Sequence, residues 1–239
     1  MTLQRTAGEA LELMDQPVID FSELRTSLRD IERLNSWFGG TGAVVNEVQR
    51  LVRERGLTRG IAVLDIGTGG ADIPRALVRW GRRRGLPVRI VACDLHPQVA
   101  AIAALSSADH GAIALLRADA LALPVLSGRF DFVTCSLMLH HLAEPDVVSL
   151  LAKLRDLPRH ALIVCDLERS RRAFAGVWLA THTMCRSSLT RHDGPLSVLR
   201  AYTLDELRAL SVRAGCGEMR WFRRACFRAV GVLEKWPPC

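Results

Sequence analysis

Leu64-Asp65-Ile66-Gly67-Thr68-Gly69-Gly70-Ala71-Asp72 is the stretch on which the fold turns. A short, mostly apolar run, Ile61 to Ile66, leads straight into a turn with three glycines. A helical pattern, Asp72 to Arg84, begins directly behind them with Pro74 in its first turn. A short apolar run of this kind reads as a strand buried on both faces. Proline is tolerated in the first turn of a helix, where a backbone N–H has no intrahelical acceptor. A glycine turn joining such a strand to such a helix lets backbone approach a ligand at the C-terminal edge of a parallel sheet.

Outward from that turn the chain alternates. Val88–Asp94, Ala112–Arg117, Phe130–Ser136 and Ala161–Asp166 are further runs of strand length, and Pro97–Ser106 and Pro145–Asp156 are helical between them. Such alternation predicts right-handed crossovers and a mostly parallel sheet. The tail departs from it. Thr203 with Glu206 three residues on is a capping box that opens a helix, and Gly215 ends that helix. Two close strand-like runs, Glu218–Phe222 and Cys226–Leu233, then predict an antiparallel hairpin at the sheet edge. The expected fold is α/β: a Rossmann-like, doubly wound, seven-stranded, mostly parallel sheet with a C-terminal antiparallel hairpin.

Composition excludes several classes. At 239 residues and 49% hydrophobic content, one α/β domain has enough apolar surface for a full core. Met1 to Pro17 is polar and acidic (Glu9, Glu12, Asp15) without a secretory pattern, and no apolar run is long enough to span a bilayer, so a cytoplasmic location is expected. Seven scattered cysteines without a CxxC pair argue against disulfides or zinc; Cys93, Cys135 and Cys165 sit in strand-like runs and read as core. The net charge of +7 raises nucleic acid as a partner, but the cations are almost all arginine, and aromatics for stacking bases make up only 5%.

Charge separates two ligands that use a glycine turn. A GxGxxG dinucleotide fingerprint starting at Gly67 needs a glycine where the chain has Asp72. A carboxylate there repels a pyrophosphate docking at the helix N-terminus. It attracts S-adenosylmethionine (SAM), which carries a sulfonium and an ammonium and no phosphate. Asp65 and Asp72 flank the turn, Asp94 closes the second strand at the position from which a carboxylate accepts ribose hydroxyls, and Asp119 follows the third.

LDIGTGGADIP, VACDLHP, LRADALALP and FDFVTCSLMLHHL, taken in succession, resemble the motifs of class I SAM-dependent methyltransferases, over residues 61–235. The resemblance implies that Gly67, Gly69 and Gly70, with Thr68 between them, cradle the methionine end. It puts Asp94 and Leu95 at the ribose, Asp119 and Ala120 at the adenine edge, and Ser136 near the sulfonium. Ala71 stands where many members have glycine. A single domain over 1–239 is expected: a helical N-terminal cap (1–58), the SAM-binding core (59–167), a lid or substrate insertion (168–202), and a C-terminal helix and hairpin (203–239).

The kind of methyltransferase is narrowed by what is missing. Cys135-Ser136-Leu137-Met138 is neither the Asn/Asp-Pro-Pro-aromatic run of base-amino enzymes nor the Pro-Cys of cytosine C5 enzymes. His140 and His141 follow the fourth strand, and His141 is the closer match to the histidine of small-molecule methyltransferases. It is the first candidate for a general base, with His140 and His192 in reserve; a purely structural histidine is the alternative. Arg191-His192-Asp193-Gly194-Pro195, with Arg200, reads either as a substrate-contacting turn or as a plain surface turn, and Trp37 beside Phe38 either closes the pocket or packs on a helix. No carboxylate cluster stands near Ser136 to His141, so no metal is expected. The expected substrate is a small hydrophobic hydroxylated molecule (polyketide, phenol or quinol), methylated on oxygen or carbon by a monomer or homodimer. A non-catalytic SAM-binding module and an NAD-dependent oxidoreductase are the alternatives.

Overall fold

The computed structural model describes residues 3–6 and 12–235; Glu9, Cys239 and the outer ends of the first and last segments lie outside the described residues. Five parallel strands, β1 (Ile61–Ile66), β2 (Val88–Asp94), β3 (Ile113–Arg117), β4 (Phe130–Ser136) and β5 (Pro158–Leu167), are joined by β6 (Arg220–Arg224) and β7 (Arg228–Glu234). Their order is β3-β2-β1-β4-β5-β7-β6, with β7 antiparallel to both β5 and β6. The chain reverses direction across the sheet between β1 and β4, and a crevice opens at that switch point above the C-terminal strand ends.

Helices cover both faces. On one, α2 (Gly40–Glu54) and α3 (Asp72–Arg84) bury Val44, Val48, Leu51, Leu77 and Val78 against Val63, Ile90, Phe132 and Ile163 of the sheet. On the other, α5 (Glu144–Arg155) and α8 (Leu204–Arg213) set Leu150, Leu154, Leu207 and Leu210 against Leu64, Val133 and Leu162. The capping box at Thr203 and Glu206 forms as expected. Cys93, Cys135 and Cys165 are buried in these cores, and burial pushes the thiols of Cys93 and Cys165 up to about 11. No helix among the described residues is long and apolar enough to cross a membrane.

Three expectations shift. β5 starts three residues earlier than its apolar run, at Pro158, where β4 carries a register irregularity between Phe130 and Phe132. The hairpin strands lie about two residues further along the chain because Ala225, Cys226 and Phe227 form the connection, the last two left-handed (φ 58° and 61°). The N-terminal segment is less helical than its pattern. α1 (Phe21–Trp37) begins only at the Asp20 cap, and before it residues 12–20 form a strap with a single 3-10 turn, Leu13–Asp15.

The Arg191 to Pro195 stretch is no turn. It lies inside α7 (Ser188–Arg200), packed against α6 (Arg171–Met184). Tertiary packing overrides the breakers here: a Cβ on Gly194 would meet Thr181 Cγ2 at 2.6 Å, so glycine is what allows the two helices this approach. α4 (Pro97–Ser106) completes the set, meeting α1 through Leu24, Leu28, Val99 and Ile102.

Candidate functional site

A cavity of about 900 Å³ opens over the C-terminal ends of β1, β2, β4 and β5. Its walls are the glycine turn, α1, the strap and the α6–α7 pair. Gly67 (φ 65°) and Gly69 (φ 52°) take left-handed conformations that glycine adopts freely, and a Cβ on Gly67 would stand 3.0 Å from Met138 Sδ. Gly70 sits behind the turn, facing Leu28, with its carbonyl accepting from Arg75.

Three carboxylates surround this turn. Asp65 is buried at the end of β1, accepting from Thr68 Oγ1 at 2.7 Å and Thr134 Oγ1 at 2.5 Å; burial pushes its carboxyl up to about 7. Asp72 accepts from Thr41 Oγ1 at 2.9 Å and Asn35 Nδ2 at 3.4 Å, and burial raises it as well. Asp94 is raised by burial too, and it accepts the N–H of Gly69 at 3.0 Å on one oxygen and of His96 at 3.1 Å on the other. Each Asp94 oxygen thus holds one backbone N–H and keeps a second lone pair for a ligand hydroxyl. Asp119 also borders the cavity and accepts from Leu121 N–H at 2.8 Å.

This donor set fits SAM. Buried carboxylates whose ionisation is costly gain most from a cationic ligand, and Arg75, the cation in the first turn of α3, is already engaged by the Gly70 carbonyl and by Glu32 at 2.7 Å. Thr68, Leu95, Ala120 and Ser136 line the same cavity.

His140 and His141 form a 3-10 turn after β4. His140 is buried. Its Nδ1 lies 2.6 Å from Asp166 Oδ1, and its backbone N–H donates to Asp166 Oδ2 at 3.2 Å. Burial pushes Asp166 up, but the charge and hydrogen bond of His140 outweigh it and hold the carboxyl below its ordinary value. His141 meets the strap: Nδ1 is 3.1 Å from Asp15 and Nε2 is 3.7 Å from Glu12. Burial opposes its protonation, but Asp15 and Glu12 prevail and raise it to about 9. Glu12 Oε1 is also 3.7 Å from His140 Nε2. Glu12, His140 and His141 consequently bring three ligand-type atoms within 4.8 Å of one another, a grouping with metal-ligand chemistry where none was expected.

The remaining expected contacts lie elsewhere. Trp37 is 58% exposed and outside the cavity wall, while Phe38 lines it, because α1 ends at Trp37 with that side chain turned to solvent. His192 is half-exposed beyond the wall and bonds Asp193 at 2.8 Å. Arg191 is spent on Cys185 O at 2.8 Å, closing the end of α6. Asp193 accepts the N–H groups of Leu13 and Met14 at 2.8 and 3.0 Å, mooring the strap. Arg200 donates to the carbonyls of His140 and His141 at 3.3 and 3.0 Å, so it holds the histidine turn from behind. α7 does reach the cavity, through Thr190, Gly194 and Ser197. Glu12, Asp15, Asn35, Asp166 and Arg228 were not anticipated. The signal for Asp166 was weak but present, a carboxylate at the end of the fifth strand level with the histidines.

Residues 63–160 match the family described as a methyltransferase domain. Over 118 residues the chain is 30% identical to a ubiquinone biosynthesis O-methyltransferase of Xanthomonas axonopodis pv. citri, a match covering 48% of this chain and 47% of that protein. The chain thus spans about half the length of the curated relatives it matches. A SAM-dependent methyltransferase from Aquifex aeolicus shares the fold with a TM-score of 0.59 at 19% identity, covering 91% of this chain and 99% of that one. Magnesium protoporphyrin IX methyltransferase from Synechocystis PCC 6803, solved with bound S-adenosylhomocysteine (SAH), matches with a TM-score of 0.54 at 14% identity, covering 81% and 82%. The strand order, the glycine turn and its carboxylates point the same way as these likenesses: residues 63–160 match a methyltransferase domain, and the chain has the fold of SAM-dependent methyltransferases.

Proposed function

We propose that this chain methylates a hydroxyl of a small hydrophobic molecule of phenol, quinol or polyketide type, with SAM as the methyl donor. The observation that carries the reading is His140, which borders the same cavity as the carboxylate-ringed glycine turn and is held from behind by the buried Asp166. The Xanthomonas relatives are O-methyltransferases of ubiquinone biosynthesis, which supports oxygen as the acceptor atom.

When bound, SAM supplies an electrophilic methyl group on a sulfonium. The chain's own work is positioning and proton removal. Asp94 and Asp119 orient the nucleoside, and Asp65 and Asp72 stabilise the cationic end. Asp166 fixes the His140 ring through Nδ1, which leaves Nε2 to accept the proton of the acceptor hydroxyl. The base role accordingly moves from His141 to its neighbour: held near Asp15 and Glu12, His141 is an imidazolium at neutral pH and has no lone pair to accept a proton. Its charge instead suits a developing phenolate. Leu28, Leu34, Phe38, Val177 and Phe227 supply the apolar surface for an aromatic or prenylated acceptor.

The test is turnover of labelled SAM with a panel of phenols and quinols by the full chain. Methyl ether products from at least one, absent when SAM is omitted, are expected. Tight SAH binding with no transfer to any acceptor would favour the non-catalytic SAM-binding module.

A further inference from the structure

We propose that Arg228 is an anion subsite of this cavity and that it receives a carboxylate, an inference that rests on the SAM-cavity reading above. Arg228 opens β7 opposite Leu167 and borders the cavity, yet only 6% of it is exposed. Its Nη2 donates to Asn35 Oδ1 at 3.0 Å. Nε and Nη1 are buried without a hydrogen-bond partner among the described residues. Nor does any described carboxylate lie within ion-pair distance of it, whereas Arg223 and Arg224 on the same hairpin each pair with a glutamate. A buried guanidinium left in this state carries a large desolvation cost, and an anionic ligand entering the cavity removes it.

The guanidinium is held in place. Cys226 and Phe227, which precede it, are both left-handed and both border the cavity. On its other side it lies against Gly40, where a Cβ would stand 3.3 Å from Cζ. A planar fork with fixed donors is matched to a carboxylate.

Asn35 extends the subsite. Its Oδ1 accepts from Arg228 while its Nδ2 donates to Asp72 at 3.4 Å, so a cation and an anion flank a single amide. An α-amino acid end, with an ammonium beside a carboxylate, presents the complementary order. So does an acid group on the acceptor lying alongside the ammonium of SAM. The two sources share one chemistry, a carboxylate on Arg228.

Calorimetry on the full chain, wild type, R228M and R228K, separates them. One arm titrates SAH and its decarboxylated analogue. The other titrates 4-hydroxybenzoate and 4-hydroxybenzamide into SAH-saturated protein. If the cofactor's carboxylate is the ligand, wild type prefers SAH over the analogue by about ten- to a hundredfold, the range of one charge-assisted hydrogen bond, and R228M reduces that ratio to about one. If the acceptor's acid is the ligand, the SAH ratio survives in R228M, and the preference for benzoate over benzamide is lost instead. R228K keeps the charge without the fork, so the affected ratio drops to an intermediate value; it also stands in should R228M fail to fold. Ratios indifferent to Arg228 in both arms, in the presence of normal SAH binding, overturn this proposal alone. Wild-type protein that does not bind SAH overturns the SAM reading and the proposal with it.

Discussion

Removing the His140 imidazole tests the chemistry most directly, because two neighbouring histidines are given opposite roles. His140→Ala deletes the group that accepts the proton and leaves Asp166 buried, still bonded to the N–H groups of residues 140 and 167 but stripped of its ring partner. A positioned base is worth about 10²–10⁴ in rate, or about 3–5 kcal/mol of barrier. The orphaned carboxylate costs a further ~1–3 kcal/mol of stability. His140→Ala should therefore show a lower melting temperature together with a loss of kcat of that order, at nearly unchanged SAH affinity. His140→Ala combined with Asp166→Asn should recover melting temperature without recovering rate, a split that a structural histidine cannot produce. His141→Ala deletes a cation beside the strap and should lower kcat by about tenfold or less, the scale of one hydrogen bond. The assay is single-turnover methyl transfer at saturating SAM, read beside thermal melts. Retained turnover in His140→Ala with collapse in His141→Ala would reverse the assignment, and retained turnover in both would leave positioning alone as the mechanism.

Asp94→Ala should weaken SAM by about 2–4 kcal/mol, the sum of two charge-assisted hydroxyl contacts; unchanged affinity by calorimetry would remove Asp94 from the ribose. Asp65 titrates near 7 in the folded chain, above its ordinary value of 3.8, so its ionisation costs stability progressively as pH rises between those values. The melting temperature of the free chain should fall across that window while SAM affinity rises between about pH 5.5 and 7, as the carboxylate forms to meet the ammonium. Asp65→Asn should flatten both curves, and an unaltered pH slope of SAM binding in that variant would refute the pairing. Exhaustive EDTA treatment should leave turnover intact, because proton transfer from the acceptor hydroxyl to His140 calls for no metal. Activity lost to the chelator and restored by a divalent cation would instead make Glu12, His140 and His141 a metal site.

The sheet was legible because its cues are local. Buried parallel strands announce themselves as apolar runs, and β1, β2 and β4 begin and end at the residues their runs predict. The glycine turn and its aspartates were legible for the same reason, since ligand chemistry and chain order coincide there. The other half of the cavity is assembled across long sequence separations. Asp166 meets His140 from the next strand, Asp15 meets His141 from a strap 126 residues earlier, and Arg228 meets Asn35 across 193 residues. No periodicity encodes such meetings. α7 was misread for a related reason: Asp-Gly-Pro is turn chemistry in isolation, and only Thr181 on the neighbouring helix shows why a glycine is needed inside this one.

The strap is fastened in an unusual currency. Asp193 grips it by the main-chain N–H groups of Leu13 and Met14, atoms every non-proline residue possesses. Glu12, Met14 and Asp15 meanwhile turn their side chains toward the cavity. The Asp193 part of the attachment is thus blind to residue identity, whereas Glu12 and Asp15 add side-chain contacts to Ser197 and His141 at 2.9 and 3.1 Å. Of the three, Met14 is the residue whose exchange would reshape the cavity wall while leaving both the main-chain knot at Asp193 and the carboxylate contacts in place.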